Sequence, residues 1–275
     1  MLGGGGGPFG AHEVGMLRAL IERGIVADLV LGTSVGAING VAIAAEPTVA
    51  GVERLSAAWT DIDRSKVFDG SVVRRLATLA RTRTHLHANA SLCRMLDELL
   101  PVRRIEDLAV PFQCVAASIE RASEHWFADG PIVPAVVASA SVPGLLPPVM
   151  IGGEHFIDGG VVNSIPLSRA IALGAQQVYV LHVGRLDRPL EPPRSPWEVG
   201  LVAFEIARRH RFVGDLAMIP SGVEVHVLAT GQEDPPRFTD RSQFRYGDAT
   251  NVRERIDRAH EASARYLDEH GLGTP

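Results

Sequence analysis

Leu29-Val30-Leu31-Gly32-Thr33-Ser34-Val35-Gly36-Ala37 is the stretch from which the rest of the chain can be read. Leu29 to Leu31 form a short apolar run of the kind that makes a buried strand, and Ala37 to Ala45 continue as a small, apolar helix. Between them Gly32-Thr33-Ser34-Val35-Gly36 reads as a Gly-x-Ser-x-Gly turn. Gly32 and Gly36 omit the side chains that would collide in so sharp a reversal, and Ser34 is left exposed at the carboxyl end of a strand. That is a nucleophile elbow, and it marks Ser34 as a candidate nucleophile.

Upstream, Gly3 to Gly10 contain six glycines with Pro8 and Phe9. So few side chains predict a loop rather than a strand or helix interior. Val14, Leu17, Leu20 and Ile21 then recur at helical spacing from Ala11 to Arg23, with Gly24 placed as a C-cap. A glycine loop opening a helix gathers backbone N–H groups and the positive end of the helix dipole around one spot. Gly5-x-Gly7-x-x-Gly10, with Asp28 further on, formally matches a dinucleotide fingerprint, but that motif needs a buried strand directly before its glycines. Oxyanion stabilisation needs only the N–H donors, and an elbow serine follows within one helix and one strand; this is the preferred reading.

Downstream, Thr48 is placed to cap a helix carrying Val52, Leu55 and Trp59, followed by a polar connection from Asp61 to Gly70. Helices are predicted at 72–81 and 90–100, and residues 47–108 together could form a cap-like helical subregion near the site. Arg74, Arg75, Arg81, Arg83, Arg94, Arg103 and Arg104 make this region locally basic, read first as a solvated face. Strands are expected at 112–119 and 124–127, a short helix at 134–140, and a hairpin at 150–157 turning through Gly152-Gly153. Between that helix and the hairpin, Ser139 to Val149 is a rigid, apolar, proline-rich segment suited to core packing or to an acyl-chain wall.

The hairpin ends in Asp158-Gly159-Gly160. On spacing alone this is a structural turn, since Asp-Gly is a common turn pair. A serine hydroxyl, however, is a poor nucleophile until a base takes its proton, and Asp158 is a candidate base. Ten histidines keep a Ser-His-Asp triad open, with His182 and His226 near strand ends. Against the triad, Ser34 comes too early for the α/β-hydrolase order. Beyond residue 160, helix, glycine and strand alternate through 166–183, 198–218, 223–228 and 252–267, which completes an α/β pattern.

Taken together, the blocks Gly5 to Gly10, Gly32 to Gly36, Ser139 to Pro148 and Asp158 to Gly160 resemble, in order, the four motifs of the patatin-like phospholipases. The resemblance implies a single three-layer α/β/α domain with a mostly parallel central sheet. It also implies a Ser34–Asp158 dyad without histidine, and an oxyanion hole from the glycine loop (Gly5, Gly6, Gly7 and Gly10, with Gly6 and Gly7 as the donors). The implied reaction is hydrolysis of lipid carboxylic esters, of phospholipase A or lysophospholipase type. The alternatives are a short-chain esterase or thioesterase, and a non-catalytic lipid-binding member of the fold.

Two departures from the family pattern stand out. Phe9 occupies a position usually held by a basic residue, and the chain nearly lacks the hydrophobic strand expected before the glycines, so that the sheet is either one strand short or its start lies further upstream.

Composition agrees with an ordinary globular chain of 275 residues, 46% hydrophobic and 21% charged. A net charge of -5 provides no general attraction to nucleic acid. The expected partners are a lipid or acyl-ester substrate and, transiently, a membrane surface. Cys93 and Cys114 have neither disulfide nor metal-ligand spacing, His85 and His87 lack a third ligand, and no cofactor or metal is expected. No apolar run reaches the roughly 18 residues of a membrane span, so a soluble cytoplasmic protein is the expectation.

Overall fold

A computed structural model describes residues 1–5, 10–65, 88–183, 189–231 and 249–273. Gly6 to Phe9, the predicted helix at 72–81, His85, His87 and most of the polar loop after Thr230 lie outside the described residues. In chain order the elements are β1 (Leu2–Gly5), α1 (Gly10–Glu22), β2 (Val30–Ser34), α2 (Val35–Ala45), α3 (Val49–Ser65) and α4 (Ala90–Leu99). They continue with β3 (Phe112–Ser118), β4 (Ser123–Phe127), α5 (Ile132–Ser139), β5 (Val149–Ile151), β6 (Glu154–Asp158) and α6 (Leu167–Ala172). Last come β7 (Gln177–His182), α7 (Pro196–Ala217), β8 (Glu224–Val227) and α8 (Ala249–Glu269).

The strands form one eight-stranded sheet in the order β5-β6-β3-β2-β1-β7-β8, with β4 on the other edge of β3. The centre, from β3 through β8, is parallel, while β4, β5 and β6 join antiparallel. Side chains alternate between the two faces with a period of two, as a pleated strand requires. Along β7, Tyr179 and Leu181 enter one core with α1 to α5 and α8, while Val178 and Val180 enter the other with Leu2, Leu31, Leu167 and Phe212. Helices therefore cover both faces, in the three layers expected of a parallel sheet.

The glycine-rich start is the main correction to the sequence reading. Residues 2 to 5 are a central strand, paired in parallel with β2 on one side and β7 on the other. Glycine is required there by proximity. A Cβ on Gly3 would come within 2.9 Å of Gly36 Cα, and one on Gly4 would overlap the Ser164 carbonyl. On the facing helix, a Cβ on Gly36 would overlap the backbone of Gly3 and Gly4. The glycines thus let α2 lie directly against β1, and the strand before the loop is present.

Other boundaries shift by smaller amounts. Thr48 caps α3 through its hydroxyl, which accepts from Gly51 N–H at 3.1 Å. The helix then continues to Ser65 through residues read as a polar connection, because that stretch contains neither glycine nor proline. Val52, Leu55 and Trp59 are buried on it, and Leu92 and Leu96 are buried on α4.

Replacing Gly36 by Ala forces backbone apart and is expected to cost about 1–3 kcal/mol. By contrast Gly214, exposed on α7 with open space around it, should gain about 0.5–1 kcal/mol as Ala. Denaturant melts of the two variants beside wild type check the contrast.

Candidate active site

β3 brings the key residues together by sharing one edge between two strands. Its residues 114–118 pair with β4 on one side. On the opposite side, residues 112–115 pair with β2 and residues 116–118 with β6. Because β2 runs parallel to β3 and β6 antiparallel, their carboxyl ends meet head to head beside Val115 and Ala116. Those ends are Ser34 and Asp158. Ser34 Oγ donates to Asp158 Oδ2 at 2.6 Å.

Ser34 has φ 57° and ψ -124°, a left-handed conformation that few residues other than glycine adopt. It is stabilised from three directions. A Cβ at Gly32 would fall 2.5 Å from Ala37 Cα, so glycine allows β2 to turn directly into α2. Ser34 N–H donates to Ser139 Oγ at 3.0 Å, and the neighbouring Thr33 Oγ1 donates to the Asn163 carbonyl at 2.9 Å. The elbow therefore leaves Ser34 half-buried, with its hydroxyl aimed at a carboxylate.

Asp158 is 1% exposed. Its Oδ1 accepts from Gly160 N–H at 2.7 Å, and its own N–H donates to the Ser141 carbonyl at 2.9 Å. The Ser139-Ala140-Ser141 segment thus holds the backbone of both residues, at Ser34 through a side chain and at Asp158 through a carbonyl. Burial raises the Asp158 carboxyl to about 6, opposed by the Ser34 and Gly160 hydrogen bonds and by the field of Arg208.

Arg208 reaches this site from α7. Its Nε donates to Ser164 Oγ at 2.8 Å and its Nη1 meets Glu205 Oε2 at 3.2 Å. Glu205 also binds Arg209 at 2.8 Å, so one carboxylate is shared by two guanidinium groups. A Cβ on Gly160 would pack 3.1 Å from the Phe204 ring and 3.7 Å from Arg208 Cδ. The turn after Asp158 is therefore seated on α7, with a net positive charge behind it.

Among the described residues, neither histidine weighed for a triad is hydrogen-bonded to Ser34 or Asp158, whose carboxylate oxygens accept from Ser34 and Gly160. His182 is opposite Gly4 in the sheet, with its ring 6.0 Å from that of Phe212, and burial lowers it to about 3. His226 stacks on Tyr179 in the outermost pair of strands. Asp28 precedes β2, beside the amino terminus and at the opposite end of the strands from the glycine loop, where it cannot serve a dinucleotide ribose bound there. Gly5 ends β1 and Gly10 begins α1; the donors assigned to Gly6 and Gly7, and Phe9, lie outside the described residues. Among the described residues no helix is long and apolar enough to cross a membrane.

A family model described as "Patatin-like phospholipase" matches residues 2–171. The chain belongs to the patatin-like phospholipase family. Patatin-like phospholipase domain-containing protein ZK370.4 of Caenorhabditis elegans is 35% identical over 188 residues, covering 67% of this chain and 13% of the relative. Patatin-like phospholipase domain-containing protein 6 of Homo sapiens is 31% identical over 186 residues, with 67% and 13% covered. Lysophospholipase NTE1 of Mycosarcoma maydis is 30% identical over 191 residues, with 67% and 10% covered. The matched region is thus a small part of these relatives. The crystal structure of VipD from Legionella pneumophila aligns with a TM-score of 0.49 at 14% identity, covering 98% of this chain and 66% of that one. The matched region contains the elbow, the glycine strand and Asp158.

Ser139, Ser141 and Arg208 were not singled out as site residues in the sequence. The two serines lie inside a segment read as core packing or an acyl-chain wall, and Arg208 lies in the stretch 198–218, read as part of the α/β alternation. Arg208→Met is expected to raise the Asp158 midpoint above about 6, because the guanidinium favours the ionised carboxylate. Carbon-13 titration of the aspartate carboxyls measures this. An unmoved midpoint means that the charge behind the turn does not act on Asp158.

Proposed function

We propose that this chain is a serine acyl hydrolase that cleaves carboxylic esters of lipids, with Ser34 as nucleophile and Asp158 as its base. The 2.6 Å hydrogen bond between them, on a left-handed serine, carries this reading. The name of one relative, Lysophospholipase NTE1, supports the lipid substrate class.

In the proposed reaction Asp158 accepts the Ser34 proton as Oγ attacks the ester carbonyl. The tetrahedral oxyanion is held by N–H donors of the glycine loop, with Gly6 and Gly7 assigned that role. Collapse expels the alcohol, which takes the proton from Asp158. Water then gives its proton to Asp158 and attacks the acyl-enzyme, and the proton returns to Ser34 Oγ as the fatty acid leaves. An ordinary aspartate, near 3.9, is a weak base for an alcohol; burial brings Asp158 to about 6 and makes it a stronger one.

The sign of the pH dependence follows. Only the ionised carboxylate can accept a proton, so kcat/KM should rise with pH through about 6 and reach a plateau by about pH 7. Asp158→Asn keeps the acceptor for Gly160 N–H but loses the base, and should lower kcat by about 10²- to 10⁴-fold. Near-normal turnover in that variant rejects the dyad. A fluorophosphonate probe should label wild type and not Ser34→Ala; label on both moves the nucleophile elsewhere. Incubating a lipid extract with wild type and with Ser34→Ala identifies the substrate, and a preference for short soluble esters over phospholipids favours the esterase reading.

A further inference from the structure

Behind the glycine strand, on the opposite side from Ser164, lies a buried polar group that the dyad does not use. Glu13 on α1 is completely buried, and Asn39 on α2 is 1% exposed. Asn39 Nδ2 donates both to Glu13 Oε2 at 2.8 Å and to the Gly10 carbonyl at 3.0 Å. Trp59 Nε1 on α3 donates to Asn39 Oδ1 at 2.7 Å, which fixes the orientation of the amide. Glu13 in turn faces β1: its Oε2 is 3.4 Å from where a Gly3 Cβ would stand. β1 leads into the glycine loop and Gly10 follows it. Three helices therefore converge on one side-chain network that touches the chain on both sides of the loop.

We infer that Glu13 and Asn39 brace β1 against Gly10 across the glycine loop, so that both are positioning residues, and that a charge on Glu13 opposes the oxyanion which the loop would hold. The part of this inference that concerns turnover rests on the ester-hydrolase reading.

Geometry favours the neutral acid. Glu13 Oε1 is buried without a hydrogen-bond partner, and a buried carboxylate without a paired cation is costly. The facing groups bear this out. α2 and α3 present the uncharged Asn39 and Trp59, and β1 presents only backbone. β7 contributes His182, held neutral by burial, and α1 itself adds the buried His12. α8 directs His260 and Asp257 to Glu22 and Arg18, further along α1. The cation that acts on Glu13 is Arg208, which is bound to Glu205 and Ser164. Desolvation dominates, and Glu13 is raised to about 8. Above that pH a negative charge appears beneath the strand leading to the loop in which oxyanion charge would build, and like charges at short range in a dry site repel strongly.

The first measurement needs no turnover. In Ser34→Ala with carbon-13 in the glutamate carboxyls, one resonance should titrate near 8 and be missing from Glu13→Gln; if every glutamate titrates below pH 7, the inference is overturned. The second is the alkaline limb. Wild-type kcat should fall by about tenfold for each pH unit above the midpoint, with KM little changed. Whatever its level at pH 7, Glu13→Gln should then show no fall up to pH 9, and a limb retained in that variant overturns the role in turnover. Asn39→Ala should lower kcat by about 10²-fold, the effect of losing one oxyanion donor, with little change in KM. An inactive wild type whose glutamate still titrates near 8 overturns the hydrolase reading and the role in turnover, while supporting the protonated brace.

Discussion

Sharing one edge of β3 between β2 and β6 is the constraint on which the site depends. A strand has two edges, and β4 occupies the other one along residues 114–118. β2 can therefore extend only as far as Val115, where β6, arriving antiparallel, takes over at Ala116. Two chain ends meeting in this way would leave backbone groups unpaired, and buried backbone donors need partners. The Ser139–Ser141 segment supplies them, through Ser139 Oγ to Ser34 and the Ser141 carbonyl to Asp158. The same break in the ladder that has to be repaired is what places a hydroxyl against a carboxylate.

Asp158 and Glu13 are both buried within this region, and their surroundings separate them. Asp158 receives a hydroxyl, a backbone N–H and the field of Arg208, and stays near 6. Glu13 receives one side-chain amide, and burial pushes it to about 8. At neutral pH the first is mostly ionised and able to accept a proton, while the second is neutral and able to brace uncharged backbone. Environments that drive two acids apart in this way allow them different roles at one pH. Arg208 acts on both, more effectively on Asp158, whose following turn packs against the Arg208 side chain.

The elbow was legible because its chemistry is local: a strand, two glycines and a helix are all contiguous in the chain. The hairpin, the Gly24 cap and the alternation after Asp158 could be read for the same reason. The first strand could not, because its glycines are explained by Gly36 and Ser164, distant in sequence, and a run without side chains carries no hydrophobic period to detect. Asp158 could be proposed as a base only through the need of the serine for one; its pairing with Ser34 comes from the tandem seating on β3. Glu13 and Asn39 did leave a signal. Glu13 lies on the same face as Leu17 and Leu20 in α1, and Asn39 interrupts an otherwise apolar α2. A polar residue on a buried face implies a specific partner, and here each residue is the partner of the other.

The four motifs end at residue 160 and the family match at residue 171, yet the site draws on the chain beyond both. β1 is hydrogen-bonded on its far side to β7, residues 177–182, and without that strand the glycine segment would be an exposed edge with almost no side chains to pack it. Phe212 fills the core beneath Leu2 and Leu31, between β1 and β2, and Arg208 and Phe204 seat the turn after Asp158. All three residues come from α7. Ser34 and Asp158 are thus contributed by the part of the chain that carries the motifs, while the electrostatics of Asp158 and the rigidity of the glycine strand depend on the part that does not. These contributions depend on charge and volume at positions 204, 208 and 212 rather than on a contiguous pattern, which is why a motif does not capture them.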